Sequence, residues 1–117
     1  MTTYEQAIKI AEILDKKLGH NIKGIEITDV SSLADYMVIA NGNSSTQVKA
    51  LADEVEYKLD EMGISVSHIE GYRSNSWILL DYVDVIVHIF DKEARDFYDL
   101  ERLWQDGKEV DLTGIID

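Results

Sequence analysis

Asp81 and Asp84 are the carboxylates whose spacing comes closest to a divalent-cation site. Nucleotide chemistry needs two or three carboxylates on one strand face to hold such cations against a triphosphate. A two-residue step returns to the same face, so the working pattern is acid, apolar, acid. Here the step is three, a turn between strands is expected inside Asp81-Tyr82-Val83-Asp84, and no basic cluster stands nearby for phosphates. Ser44 lacks a nucleophile elbow, and His20, His68 and His88 have no evident orienting partner for a serine nucleophile. His68 and Glu70 share a face of an extended chain, but two ligands without a third make no zinc site. Asn41-Gly42-Asn43-Ser44-Ser45 places glycine and serine between a strand and a helix, where free amides attract anions. It matches neither of the two glycine-rich phosphate-binding spacings. Ser44 followed by Gln47 fits a capping box instead. Enzyme chemistry is not expected, and neither a metal nor a cofactor is called for.

The elements that would carry these residues follow from periodicity. Ala7, Ile10, Ala11, Leu14 and Leu18 recur at helical spacing, with Gly19 as a stop. Residues 23–30 read as a strand, with Ile25 and Ile27 alternating against Glu26 and Thr28, and residues 36–40 as a second, apolar one. Val48, Leu51, Ala52, Val55, Leu59 and Met62 give the buried stripe of a long helix closed by Gly63. Residues 64–69 form a further strand, and a polar loop runs through Ser76. Asp91 caps a short last helix, in which Ala94, Phe97, Leu100, Leu103 and Trp104 make an aromatic-rich stripe of the kind that is usually core. From Gly107 onward no period is visible and fraying is expected.

Residues 77–90 are the most informative stretch, two strand-like runs with neither glycine nor proline. Alternation puts Val85, Val87 and Ile89 on one face of the second run, and Asp84, Ile86, His88 and Phe90 on the other. The first run divides into Ile78, Leu80 and Tyr82 against Trp77, Leu79 and Asp81. A half-solvated strand should have one polar face, and these have almost none. Either the protein's own helices cover both faces, or one apolar face is kept for a partner.

Length and composition set the frame. The 117 residues suit one compact domain, with a core large enough to stand without staples. Cysteine is absent, so neither a disulfide framework nor a thiolate metal site can form. No apolar run approaches the roughly 20 residues of a membrane span. The first residues read as a helix rather than a signal, so the cytoplasm is the expected location. The net charge is −12, from 23 acidic and 11 basic side chains. Such a surface repels phosphate backbones and favours a basic partner, although surplus carboxylates also simply keep a small protein in solution.

Several spaced blocks carry a resemblance. They are Glu70-Gly71, Trp77-Ile78-Leu79-Leu80-Asp81-Tyr82, Asp84-Val85-Ile86-Val87-His88-Ile89-Phe90, and the closing run from Glu93 to Trp104. Asp35-Tyr36-Met37-Val38-Ile39-Ala40-Asn41-Gly42-Asn43-Ser44 and Gln47-Val48-Lys49-Ala50-Leu51-Ala52 support them upstream. In this order the chain resembles the Iojap family, the bacterial ribosomal silencing factors, from about the first helix to Gly107. That gives a domain over residues 1–107 and a tail over 108–117. The element order predicts an α/β domain with a mixed five-stranded sheet flanked by helices. The resemblance implies a nucleotidyltransferase-like topology, here without the catalytic carboxylates, which makes such an enzyme the rival reading.

The resemblance also implies a non-enzymatic module that docks on the fourteenth protein of the large ribosomal subunit and blocks joining of the small subunit. It implies self-association of the free protein as a homodimer, for which an exposed apolar sheet face would give a physical reason. Relatives in organelles carry targeting extensions, and the start of this chain favours a bacterial origin. The expected contact residues form a patch: Trp77 and Leu79 on one strand, with Ile86, His88 and Phe90 on the next. Asp81, Asp84 and Glu101 supply acidic complementarity. Arg95, Tyr98, Leu100 and Trp104 belong to the closing block, where Tyr98 and Glu101 are counted with the contacts and others can buttress the sheet.

Overall fold

The computed structural model describes residues 1–71 and 75–116, the side chain of Leu103 excepted. The expected loop at 72–74 and the place of Leu103 in the aromatic stripe lie outside the described residues. The elements are α1 (Thr3–Lys16), β1 (His20–Glu26), β2 (Tyr36–Gly42), α2 (Ser45–Glu61), β3 (His68–Glu70), β4 (Trp77–Asp81), β5 (Val85–Asp91), α3 (Lys92–Tyr98), α4 (Leu100–Leu103) and β6 (Lys108–Glu109). The mixed sheet has six strands in the order β3-β4-β5-β2-β1-β6, one more than the five expected. The extra strand comes from the tail, where Lys108 and Glu109 pair antiparallel with Glu26 and Ile25. Backbone hydrogen bonding needs no side-chain period, which is why this short strand left no mark in the sequence. Only β2 and β5 run parallel; the other neighbouring pairs are antiparallel.

The central strand β2 is buried along its whole length, as its apolar run implies. α1 and α2 lie on one face of the sheet and seal Val38, Ala40, Ile78, Leu80, Val85, Val87 and Ile89. The other face holds a smaller core of Ile25, Ile27, Met37, Ile39 and Phe90, which Leu100 and Trp104 help to cover. The helix ends follow local chemistry. Ser44 Oγ accepts from the Gln47 amide at 3.1 Å, but the Gln47 side chain serves the Asn43 amide and the Leu18 carbonyl rather than closing a box on Ser44. Gly63 takes φ +80° just past α2, the left-handed conformation that closes a helix. After α1 that conformation falls on Leu18 (φ +67°), not Gly19, so Leu18 leaves the buried stripe and is exposed.

Asp91 Oδ1 accepts from the Ala94 amide at 2.8 Å and starts α3. The expected single last helix is broken at Asp99, whose φ of +46° turns the chain between α3 and α4. The break turns α4 away from the line of α3, and Phe97, in the last turn of α3, is left out of the expected buried stripe at 81% exposed.

Candidate partner-binding surface

Register decides which side chains meet on the second sheet face. Trp77 lies opposite Phe90, Leu79 opposite His88, and Asp81 opposite Ile86. On the outer side β3 sets Glu70 against Leu79 and His68 against Asp81. Directly opposed residues on one face stand within side-chain contact, so these rows form one continuous surface. Gly71 fixes where it begins. It has φ +89°, and a Cβ there would lie 1.8 Å from the Trp77 carbonyl oxygen. The two branches left open by alternation are both partly realised. α1 and α2 seal the centre of one face, and α3 with α4 cover only part of the other.

On that second face Phe90 is 1% exposed and His88 6%, whereas Trp77, Leu79 and Ile86 are half-buried. Phe90 and His88 therefore cannot offer a broad contact area; they form the floor under Trp77. The Trp77 ring stacks on Phe90 at 5.1 Å and meets the Tyr98 ring at 4.5 Å. Its Nε1–H donates to His88 Nδ1 at 3.0 Å. That bond makes the imidazole an acceptor, and burial pushes its pKa down to about 4, so His88 is neutral. Trp77 is thus held by ring contact and one directional bond, its outer surface still in reach of a partner. A hollow of about 190 Å³ beside it is lined by Glu70, Gly71, Trp77 and Leu79.

The fringe is polar. Asp81 is half-buried and Asp84 exposed, both flanking the turn that closes the β4–β5 hairpin. Asp81 Oδ1 accepts from the Val83 amide at 2.7 Å, so that carboxylate caps the turn. His68 Nε2 and Glu70 Oε1 lie 2.9 Å apart on the exposed edge strand, as their shared face requires. Asp84 precedes β5 and therefore sits at the opposite end of the sheet from the carboxyl ends of the parallel pair β2 and β5. Ligands of α/β sheets bind outside those carboxyl ends. A cavity of about 630 Å³ opens there, lined among others by Asn21, Lys23, Asn41, Lys92, Arg95 and Glu101. Among the described residues no cluster of three His, Cys, Asp or Glu side chains could hold a metal ion.

Arg95 was not singled out by its spacing, yet it is buried (7% exposed) and joins three parts of the chain. Nη1 donates to the Asn21 carbonyl and to Asn41 Oδ1, the latter at 2.8 Å. Nε and Nη2 donate to the two carboxylate oxygens of Glu101 at 3.4 and 3.2 Å. Two-pronged pairing of this kind fixes orientation as well as charge. Glu101, expected at the surface to meet a partner, is largely occupied by this clamp and retains 28% side-chain exposure. Tyr98 is 48% exposed, with Phe97 edge-on to it at 5.1 Å and 87°. Phe97 was missed because helical spacing placed it in the core; the one hint was an aspartate two residues later, a residue that tolerates the left-handed conformation.

A mixed six-stranded sheet sealed by helices at the centre of one side and only partly covered on the other defines the class as an α/β domain with a partly open aromatic face. The family profile described as "Ribosomal silencing factor during starvation" matches residues 1–117, and the chain belongs to that family. It is 41% identical over 102 residues to a protein of Bacillus subtilis named ribosomal silencing factor, covering 87% of this chain and 86% of that one. It is 39% identical over 103 residues to the protein of the same name from Halalkalibacterium halodurans, covering 88% of each. A solved crystal structure of a Chromobacterium violaceum protein superposes with a TM-score of 0.87 at 38% identity, covering 90% of this chain and 88% of the other.

Proposed function

We propose that this protein is a steric plug for the large ribosomal subunit. It docks through the fourteenth large-subunit protein and keeps the small subunit from joining, which represses translation when nutrients are short. The observation that carries the reading is the set of Trp77, Leu79 and Ile86, only half-buried on a sheet face that the protein's own helices leave partly open. Aromatic side chains held rigidly at such a site commonly dominate interface energy. The names borne by the relatives and by the family support the ribosomal direction.

Trp77, Leu79, Ile86 and Tyr98 supply the apolar contact, with His88 and Phe90 setting its shape from beneath. Asp81, Asp84 and the exposed part of Glu101 supply negative charge toward a basic ribosomal protein, chiefly speeding encounter. No chemical step, cofactor or metal enters, and the site of action is the cytoplasm; no helix among the described residues is long and apolar enough to cross a membrane. When free, two copies cover these faces symmetrically as a homodimer. The test is co-sedimentation with isolated large subunits, comparing wild type with Trp77→Ala. Trp77→Ala should weaken binding by about 2 kcal/mol or more. Equal binding by the folded variant removes Trp77 from the interface.

A further inference from the structure

Phe97 is the most exposed large apolar side chain among the described residues, at 81%. A single exposed apolar residue needs no explanation, but this one is continuous with an ordered aromatic run. Phe97 packs edge-on against Tyr98, Tyr98 lies against Trp77, and Trp77 stacks on Phe90. The ring at the outer end of that run is thus backed by three others, the innermost sealed in the core.

The backbone beneath Phe97 is fixed with equal care. α3 has only seven residues and is too short to hold its own direction. Its last turn is ended by Asp99 in the left-handed conformation, and Arg95 reaches over that break to grip Glu101 with both prongs. The same guanidinium is tied to the sheet through Asn41 and the Asn21 carbonyl. A buried arginine whose bonds join the sheet, α3 and α4 prevents the corner from swinging.

We infer that Phe97 is an anchor that inserts into an apolar pocket on the partner, and that Arg95 is the positioning residue that aims it. The inference rests on the docking role proposed above and extends its surface from the sheet face onto the α3–α4 corner. Charge selects the occupant. Glu93, Asp96 and Asp99 stand exposed around Phe97, against the exposed cations Lys92 and Arg102. With a net charge of −12 on the chain, two copies pressed corner to corner meet like charge even where their sheet faces pair, whereas a protein pocket rimmed by lysine and arginine meets its complement. The fit is a basic protein of the large subunit.

The experiment is a binding titration of the full chain on isolated large subunits, with self-association followed in parallel by sedimentation velocity. Phe97→Ala should bind roughly thirtyfold more weakly than wild type, with its thermal midpoint unchanged because so little of the ring is buried. In an Arg95→Lys background, which keeps the charge but loses the two-pronged grip, the Phe97→Ala penalty should shrink at least about threefold. A full penalty in that background means that Arg95 only holds the fold and overturns its aiming role. Wild type that fails to bind large subunits overturns the docking role itself. Wild type that binds, with Phe97→Ala equally tight, overturns the anchor alone. So does a Phe97→Ala variant that loses only self-association, since the occupant is then a second copy.

Discussion

Lowering the pH from 7.5 to 5.0 should cost this fold stability through His88. The imidazole is 6% exposed and its folded pKa is held near 4 by burial, against 6.5 for the free side chain. Between those values the unfolded chain binds a proton that the folded chain refuses, so stability falls as pH falls. The contribution is complete above about pH 6.5, drains away through the interval, and is fully lost below about pH 4. At pH 5.0 the linkage amounts to about 2 kcal/mol, and below pH 4 to about 3 kcal/mol. The assay is urea denaturation at pH 7.5 and 5.0 for wild type and His88→Gln, whose amide oxygen can still accept from Trp77 Nε1 but does not titrate. Wild type should lose about 2 kcal/mol more than His88→Gln over that range. Parallel losses would refute the buried neutral imidazole, and with it the bond that holds Trp77.

Val83 should be replaceable with profit. It carries φ +74° at the tip of the β4–β5 hairpin, a conformation that β-branched residues avoid, and its side chain is 61% exposed. Val83→Gly is expected to stabilise the protein by about 1 kcal/mol in urea denaturation, whereas destabilisation would show the strain to be compensated by contacts of the side chain. Phe90 and Leu79 share a face and should respond oppositely. Phe90→Ala removes a fully buried ring and should cost about 3–5 kcal/mol in stability, while Leu79→Ala should cost about 1 kcal/mol and act mainly on binding. Similar stability losses for the two would contradict their different burial.

Much of this was legible because side-chain period reports burial directly. The split of residues 77–90 into two faces, the Ser44 and Asp91 caps and the Gly63 stop all follow from local rules, and the structure has each of them. What period could not reveal was how far a covered face extends. Phe90 and His88 share a face with Leu79 and Ile86, yet the α3–α4 corner and Trp77 cover the first two only. That difference depends on where α3 ends, and α3 ends because Asp99 adopts a left-handed conformation, a choice that helical spacing cannot register. Phe97 was misplaced in the core for the same reason, and the part of Glu101 that Arg95 engages was equally invisible. The strand at Lys108 was missed because two exposed residues pairing through backbone alone carry no apolar signature.

The most direct test of the central claim mixes purified large and small ribosomal subunits and follows their association by light scattering. Large subunits preincubated with wild-type protein should fail to associate, and preincubation with Trp77→Ala should restore joining at the same protein concentration. Unimpeded association by large subunits that carry the bound wild-type protein would contradict the account, since a plug that sits in place without blocking is no plug.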